Sequence, residues 1–408
     1  MKVLILGNGV AGISVAKELR SQEAVHAQLA RAGDASVELE ISVLARESYD
    51  YYSRIRLPEV FGGEYLAAEL LALYKPSWYA EHRIGVSLAS EAVAIDRTAR
   101  RVMLAAGEEL SYDILVLAIG ADPARPTVSG TFLPGVCTVR EYDDAARLRS
   151  RALDHPESAA VIGGGLLGLE AARHLQLLGV RRVSVLEVAP RLLPRQLDEG
   201  GAALLKRKLE AMGLEIVTGA SLSAFKGRDR LEGLSYAAGG VERRLETATA
   251  VVSMGVRPRL GLAKAAGIAT GRGILVDRSL RTSDPSIYAL GDCAEFEGRV
   301  YGIIPAAMEQ APCCAAAILG DVSRPYGGTI PSNILKVAGI DLFSAGIVDR
   351  SDGMEELVLD LGAERYERYL LKDGLLVGAI VVGPKERARA AKALMGSPVS
   401  RADLEPKD

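Results

Sequence analysis

Two glycine triplets are the first residues whose types and spacing point to chemistry. Gly7, Gly9 and Gly12 stand in "GNGVAG", directly after the apolar run "KVLIL" and before the helical pattern "ISVAKELR". Gly163, Gly165 and Gly168 repeat the plan in "SAAVIGGGLLGLEAARHLQLLG". Between a strand and a helix, such glycines allow a tight turn, close approach of the backbone to a pyrophosphate and close helix–strand packing, with the phosphates at the helix N-terminus. One G-x-G-x-x-G alone carries little weight. Two of them, each set between a strand and a helix, predict two dinucleotide sites.

Each site needs an acid for a ribose at the end of its second strand. The strand "RVSVLE" ends in Glu187, 24 residues after Gly163, about where an acid that binds an adenosine ribose belongs. In the first unit "SQEAVHAQLARAGDAS" lengthens the approach to "VELEISVLARE", and the residue in register with Glu187 is Ala45. Glu47, two residues on, is the candidate for the first ribose; a solvated charge at a strand end is the alternative.

The thiols offer less. Cys137, Cys293, Cys313 and Cys314 form no C-x-x-C, no zinc spacing and no disulfide framework. The adjacent pair in "APCCAAAILG" reads as small residues packing a helix. No cysteine precedes Cys137, so the stretch "SYDYYSRIRLPEVFGGE" from Ser48 to Glu64 has none.

These residues need a scaffold. At 408 residues the chain is too long for one ordinary core, and its 49% apolar, 5% aromatic composition suits helices packed on parallel sheets. The expected fold class is α/β. A net charge of −3 with interspersed signs argues against nucleic acid or an anionic membrane as the main partner. The opening "MKVLILGNGV" is too short for a signal-peptide core, and no run reaches the length of a membrane span, so the expected location is cytoplasmic.

Four further segments carry a family likeness. "YDILVLAIGADPARP" (Tyr112 to Pro126) resembles the strand and turn that close the flavin domain of two-dinucleotide flavoproteins, with Ile119 where Thr is usual. "IYALGDCAE" resembles their second flavin motif, in which an Asp, here Asp292, holds the ribityl chain. "YYSRIRLPE" resembles a Y-x-R-P-x-L segment, and "ILKVAGIDLFSAGIV" the start of a C-terminal domain. The chain thus resembles the pyridine nucleotide-disulfide oxidoreductase superfamily, closest to NADH:rubredoxin reductases and the flavin part of NADH-nitrite reductases.

That resemblance implies two Rossmann-like domains, for FAD and NAD, plus a small α+β C-terminal domain. The FAD domain would span residues 1–121 and 247–322, the NAD domain 122–246 and the C-terminal interface domain 323–408, with "PYGGTIP" as a linker and "RADLEPKD" a frayed tail. In that C-terminal part, "EELVLDLGAERYERYLLKDGLLVGAIVVG" alternates like antiparallel strands around "KDG", and "PKERARAAKALM" reads as an amphipathic helix. FAD would be held by Gly7, Gly9, Gly12, Glu47, Arg54, Ala118, Gly120, Arg125, Gly291, Asp292 and Gln310, the last on a helix "GIIPAAMEQAPCCAAAILG" aimed at the flavin. NADH would be held by Gly163, Gly165, Gly168 and Glu187, with Arg181, Arg182 and Arg191 near enough in sequence to soften the exclusion of NADPH.

Glu170 is the catalytic candidate, because resembling enzymes carry there an acid that faces the nicotinamide or pairs with a base beside the flavin. A structural cap is the alternative. Glu59 stands where ferredoxin reductases of the superfamily carry Lys. With no thiol in the opening stretch, the expected reaction is hydride transfer from NADH to FAD and electron release to a small carrier, a rubredoxin, a ferredoxin or a nitrite reductase subunit. Arg54 and Arg56 are candidates to meet an acidic carrier, a flavin phosphate or a surface carboxylate. The competing readings are an NADH oxidase, the flavin subunit of a nitrite reductase, and an NADH-responsive flavoprotein of slow turnover whose conformational change a partner reads; the assembly expected is a monomer or homodimer.

Overall fold

A computed structural model describes residues 1–29, 38–63, 67–330, 332–360, 362 and 364–405. The chain divides into two compact units.

The first unit comprises Met1–Arg54, Ala67–Asp122 and Val256–Thr329. Its five-stranded parallel sheet has the order Ile287–Ala289, Ile114–Leu117, Lys2–Leu6 (β1), Glu40–Leu44 (β2) and Ile84–Ser87. These strands read as short apolar runs because a parallel sheet is covered on both faces. A helix of 20 residues, Val10–Leu29 (α1), follows β1. It continues well past "ISVAKELR" and takes up the first part of the lengthened segment, whose residues 30–37 lie outside the described ones. Ala11, Val15 and Ala16 of α1 share a core with Ala307, Ala311 and Ala315. Small side chains on both partners let the helices approach closely.

The second unit comprises Ile55–Leu66, Pro123–Gly255 and Ile330–Asp408. Its parallel sheet runs Glu215–Thr218, Arg182–Glu187, Ser158–Ile162 (β3), Thr249–Val252 and Val136–Cys137. Helix Leu166–Leu177 (α2) follows β3, and Arg182–Glu187 is β4. The same unit contains a five-stranded antiparallel sheet in the order Ser332–Val337, Ile340–Gly346, Leu375–Val382, Tyr366–Lys372 and Glu355–Asp360.

The expected hairpin around "KDG" forms between Tyr366–Lys372 and Leu375–Val382, with Asp373 and Gly374 at φ 52° and 76°. Two consecutive left-handed residues are what a two-residue hairpin turn demands. "PKERARAAKALM" supplies the helix Lys385–Leu394. The tail differs from expectation: Ser400 and Asp403 form a capping box on Arg401–Leu404, and Leu404 is buried, so this turn is fastened rather than frayed. Residues 406–408 lie outside the described ones. Among the described residues no helix is long and apolar enough to cross a membrane, and no cluster of His, Cys, Asp and Glu is arranged to hold a metal.

Candidate functional site

In the first unit, the glycines are dictated by contact. Gly7 has φ +115°, and a Cβ there would stand 2.3 Å from the Ala118 carbonyl oxygen; a Cβ on Gly12 would stand 1.8 Å from that of Gly7. Gly9 differs, since a Cβ there would meet only Arg54 Nη1, at 3.1 Å. Its backbone is open to a phosphate, with a guanidinium alongside. The Gly7 N–H donates to Leu44 O at 2.8 Å, which puts Ala45 in register as read from the sequence.

Ala45 is buried and apolar, and the acid comes two residues later. Glu47 Oε1 accepts from Arg54 Nη2 at 2.5 Å, and its Oε2 accepts from the Tyr52 hydroxyl. The pair Glu47–Arg54 therefore stands beside Gly9, and Arg54 meets a carboxylate there. Arg56 pairs with Glu59 at 2.9 Å.

The later segments converge on the same place. Gly291, at φ +78°, opens the short turn Gly291–Cys293 that carries Asp292, and a Cβ on it would stand 2.7 Å from that of Ala11, inside the first fingerprint. Gly120, at φ +70°, makes the turn after Ala118. Helix Ile304–Ile318 (α3) starts with a proline in its first turn, and its Gln310, fully buried, accepts from the Gly291 N–H at 2.8 Å. Arg125 belongs to the second unit, where it donates to Thr131 O at 3.0 Å and lies over the Phe132 ring.

In the second unit, Gly163 at φ +115° packs on Ser253 O, where a Cβ would come within 2.2 Å, and a Cβ on Gly168 would stand 2.0 Å from Gly163 O. Gly165 caps α2 and has nothing within 4 Å of its Cβ position. Glu187 is buried with both oxygens engaged, Oε2 by the Gly164 N–H at 2.6 Å and Oε1 by the Ala189 N–H at 2.7 Å. Sequence reading passed over Gly164, whose position in the Gly-Gly-Gly run is the signal for it.

The three arginines named beside Glu187 are not equivalent. Arg182 begins β4 and Glu187 ends it, about 16 Å away at the rise of a strand, and Arg181 precedes Arg182. Arg191 donates to Leu197 O at 2.9 Å and pairs with Asp349 at 2.9 Å. Glu170, on α2, accepts from the Ala338 N–H at 2.8 Å, and its other oxygen lies 3.5 Å from His174 Nδ1.

All four cysteines are free thiols. Burial pushes Cys293 up to about 11, and its Sγ donates to Leu117 O. Burial also raises Cys137, Cys313 and Cys314. A lowered pKa favours thiol reactivity, and burial moves all four the other way.

Two parallel sheets, each with a glycine turn opening onto the N-terminus of a helix, define a protein built to hold two dinucleotides. The family model described as pyridine nucleotide-disulphide oxidoreductase matches residues 1–311, and the one described as rubredoxin NAD+ reductase C-terminal domain matches residues 331–398. The chain belongs to the pyridine nucleotide-disulphide oxidoreductase family.

It is similar to a nitrite reductase [NAD(P)H] of Bacillus subtilis, 33% identical over 94% of this chain and 45% of the relative. It is also similar to a rubredoxin-NAD(+) reductase of Pseudomonas putida, 35% identical over 91% of this chain and 92% of that one. Among solved structures, a ferredoxin reductase from Rhodopseudomonas palustris superposes with a TM-score of 0.82 at 28% identity, covering 97% of this chain and 96% of that one. The chain spans about half the length, or less, of the nitrite reductases it matches, from 36% to 45% of each.

Proposed function

We propose that the chain is an FAD-dependent oxidoreductase that takes hydride from NADH and passes electrons to a small carrier protein, a rubredoxin first and a ferredoxin next. The observation that carries this reading is the place of the thiols: the stretch from Ser48 to Glu64 has no cysteine, and Cys293 and Cys314 are buried in apolar cores, so no thiol is offered as a relay and the electrons leave the flavin directly. Likeness to rubredoxin and ferredoxin reductases along nearly the whole chain supports it.

Bound FAD supplies the chemistry, accepting a hydride and giving up electrons one at a time. The chain supplies binding and electrostatics. Gly7, Gly9 and Gly12 bring backbone to the pyrophosphate, Arg54 sets a cation beside it, and Asp292 accepts from the ribityl hydroxyls. The N-terminus of α3 favours negative charge on the pyrimidine edge. Gly163, Gly165 and Gly168 receive the second dinucleotide, and the buried Glu187 carboxylate excludes a 2′-phosphate, so NADH is preferred. Glu170 is the residue assigned to the nicotinamide side.

In this reading residues 1–121 and 247–322 serve FAD, 122–246 serve NADH and 323–408 form the interface domain. The location is cytoplasmic, where NADH is supplied; cell fractionation tests it. Anaerobic stopped-flow tests the reaction: NADH should bleach a yellow protein, and rubredoxin or ferredoxin should restore the colour. A protein that cannot be loaded with FAD, or a reduced flavin that no carrier reoxidises, sinks the proposal. A second reading is favoured by the match to nitrite reductases: electrons would go to a separate nitrite-reducing subunit, which the same assay examines by adding that subunit.

A further inference from the structure

The acids of the two glycine units are used differently. Both oxygens of Glu187 accept from backbone N–H groups, whereas both oxygens of Glu47 accept from side chains, Oε1 from Arg54 Nη2 at 2.5 Å and Oε2 from the Tyr52 hydroxyl. The Arg54 guanidinium also lies over the Tyr52 ring, 5.8 Å from its centroid, and its Nη1 stands 3.1 Å from where a Cβ on Gly9 would be. Phenol, carboxylate, guanidinium and open glycine thus follow one another in contact.

Tyr52 is the fixed end of this series. It is 5% exposed and forms an antiparallel bridge with Ala72, and the carbonyl of its neighbour Tyr51 accepts from the Leu73 N–H at 2.8 Å. The Glu47 backbone is anchored as well, its carbonyl accepting from the Ala89 N–H at 3.0 Å. Arg54 carries its charge on a long stem that is half-buried, and holding such a stem in one place costs rotamer freedom.

A carboxylate beside an anion site would by itself repel the anion. Here each of its oxygens has a donor, and because a carboxylate only accepts, the phenol turns its proton to Oε2 while Oε1 fixes the guanidinium. The acid is matched in charge, and the group set at Gly9 is the cation.

We infer that Tyr52 and Glu47 are positioning residues for FAD retention: the Tyr52 phenol orients the Glu47 carboxylate, which holds the Arg54 guanidinium at Gly9. The inference rests on the reading of Arg54 as the cation beside the FAD pyrophosphate.

The test is the rate of FAD release from purified holoprotein, followed by the fluorescence of free flavin. Tyr52→Phe keeps the ring under Arg54 and removes the hydroxyl, and Glu47→Gln sets an amide NH2 against one of the two donors. Each should speed release about fivefold, the worth of one buried hydrogen bond. Tyr52→Phe combined with Arg54→Ala should release FAD no faster than Arg54→Ala alone. The ratio of variant to wild-type release should also narrow between about 0.1 M and about 1 M salt, because the contact that is misplaced lies between charges. A hydroxyl that only packs the fold would give one ratio at every salt.

Wild-type release from Tyr52→Phe, effects that multiply in the double variant, or a ratio that salt does not move would each overturn the inference while leaving the FAD reading intact. Should Tyr52→Phe not fold, Glu47→Gln decides by the same comparisons. An Arg54→Ala protein that releases FAD at the wild-type rate overturns the reading of Arg54 and the inference with it. A wild-type protein that neither carries nor takes up FAD overturns the FAD site itself.

Discussion

The two glycine turns are nearly superimposable in their constraints and differ in their charges. Both open with a glycine at φ +115° and both close with a glycine whose Cβ would strike the carbonyl of the first. Around the first, an Arg54–Glu47 pair stands at the open glycine, with Gly291 and Gln310 closing in behind. Around the second, a Cβ on Gly165 would meet nothing within 4 Å, and the acid is turned inward to hold the Gly164 and Ala189 amides. A cation and extra walls suit a group that stays bound, and an open turn with a fixed acid suits one that must come and go. On the function proposed above, similar backbone geometry would serve retention in one unit and exchange in the other.

The sharpest way to break that contrast is to crowd each turn. Gly12→Ala and Gly168→Ala should each cost about 3 kcal/mol of local packing, with opposite outcomes. The first should yield protein without FAD absorbance, and the second a yellow protein that NADH no longer bleaches. Equal loss of FAD in both would erase the division of roles. Next in size, Arg54→Ala should raise the FAD dissociation constant about 10- to 100-fold, since a charge-assisted hydrogen bond is lost. Its KM for NADH should not move, which steady-state kinetics on FAD-saturated enzyme will show.

A smaller effect is expected at the second turn. Glu187→Ala should shift the kcat/KM ratio of NADH to NADPH by about tenfold toward NADPH through lost repulsion, with FAD content unchanged. A wild-type preference for NADPH would remove Glu187 from this role. The smallest effects belong to the thiols. Replacing all four cysteines should leave carrier turnover nearly intact, apart from packing losses of about 1 kcal/mol per buried site, and NADH reduction should give no thiolate charge-transfer band.

Cys293 also has a pH signature. Its pKa is raised from 9.0 to about 11 by burial, so its contribution to stability is full below pH 9 and is lost as pH rises toward 11. Above pH 9, Cys293→Ala should therefore lose less stability to urea than the wild type, by about 1 kcal/mol per pH unit.

Much of this contrast was legible in the sequence because it is local. A glycine turn is written in consecutive residues, and an acid at the end of a strand is found by counting, as Ala45 and Glu187 show. Glu47 and Arg54 are seven residues apart but lie in an irregular stretch with no period to read, and the enclosure of Gln310 depends on segments far apart in the chain. "PYGGTIP" reads as a linker by its Gly and Pro, yet Tyr326 and Thr329 are buried because an aromatic ring and a hydroxyl find partners on Phe296, Tyr301 and Glu309. Arg191 lies close to Glu187 in sequence, and its partner Asp349 becomes visible only when the antiparallel sheet is in place. Helix α1 outran its apolar pattern because nothing in "SQEAVHAQL" stops a helix.

The discontinuity of the first unit has a consequence for biosynthesis. Gly7 leaves the ribosome early, while Gly291 and Gln310, which close the same turn, follow only after the intervening segments of the second unit. At ordinary elongation rates the interval is roughly 15–60 s. During it the strand β1 has β2 and Ile114–Leu117 as neighbours but lacks its outer partner Ile287–Ala289 and the helix α3. With the FAD site proposed above, capture would be a late event of synthesis: nascent chains arrested before Gly291 should emerge without the cofactor, whereas chains extended past Thr329 should be able to load it.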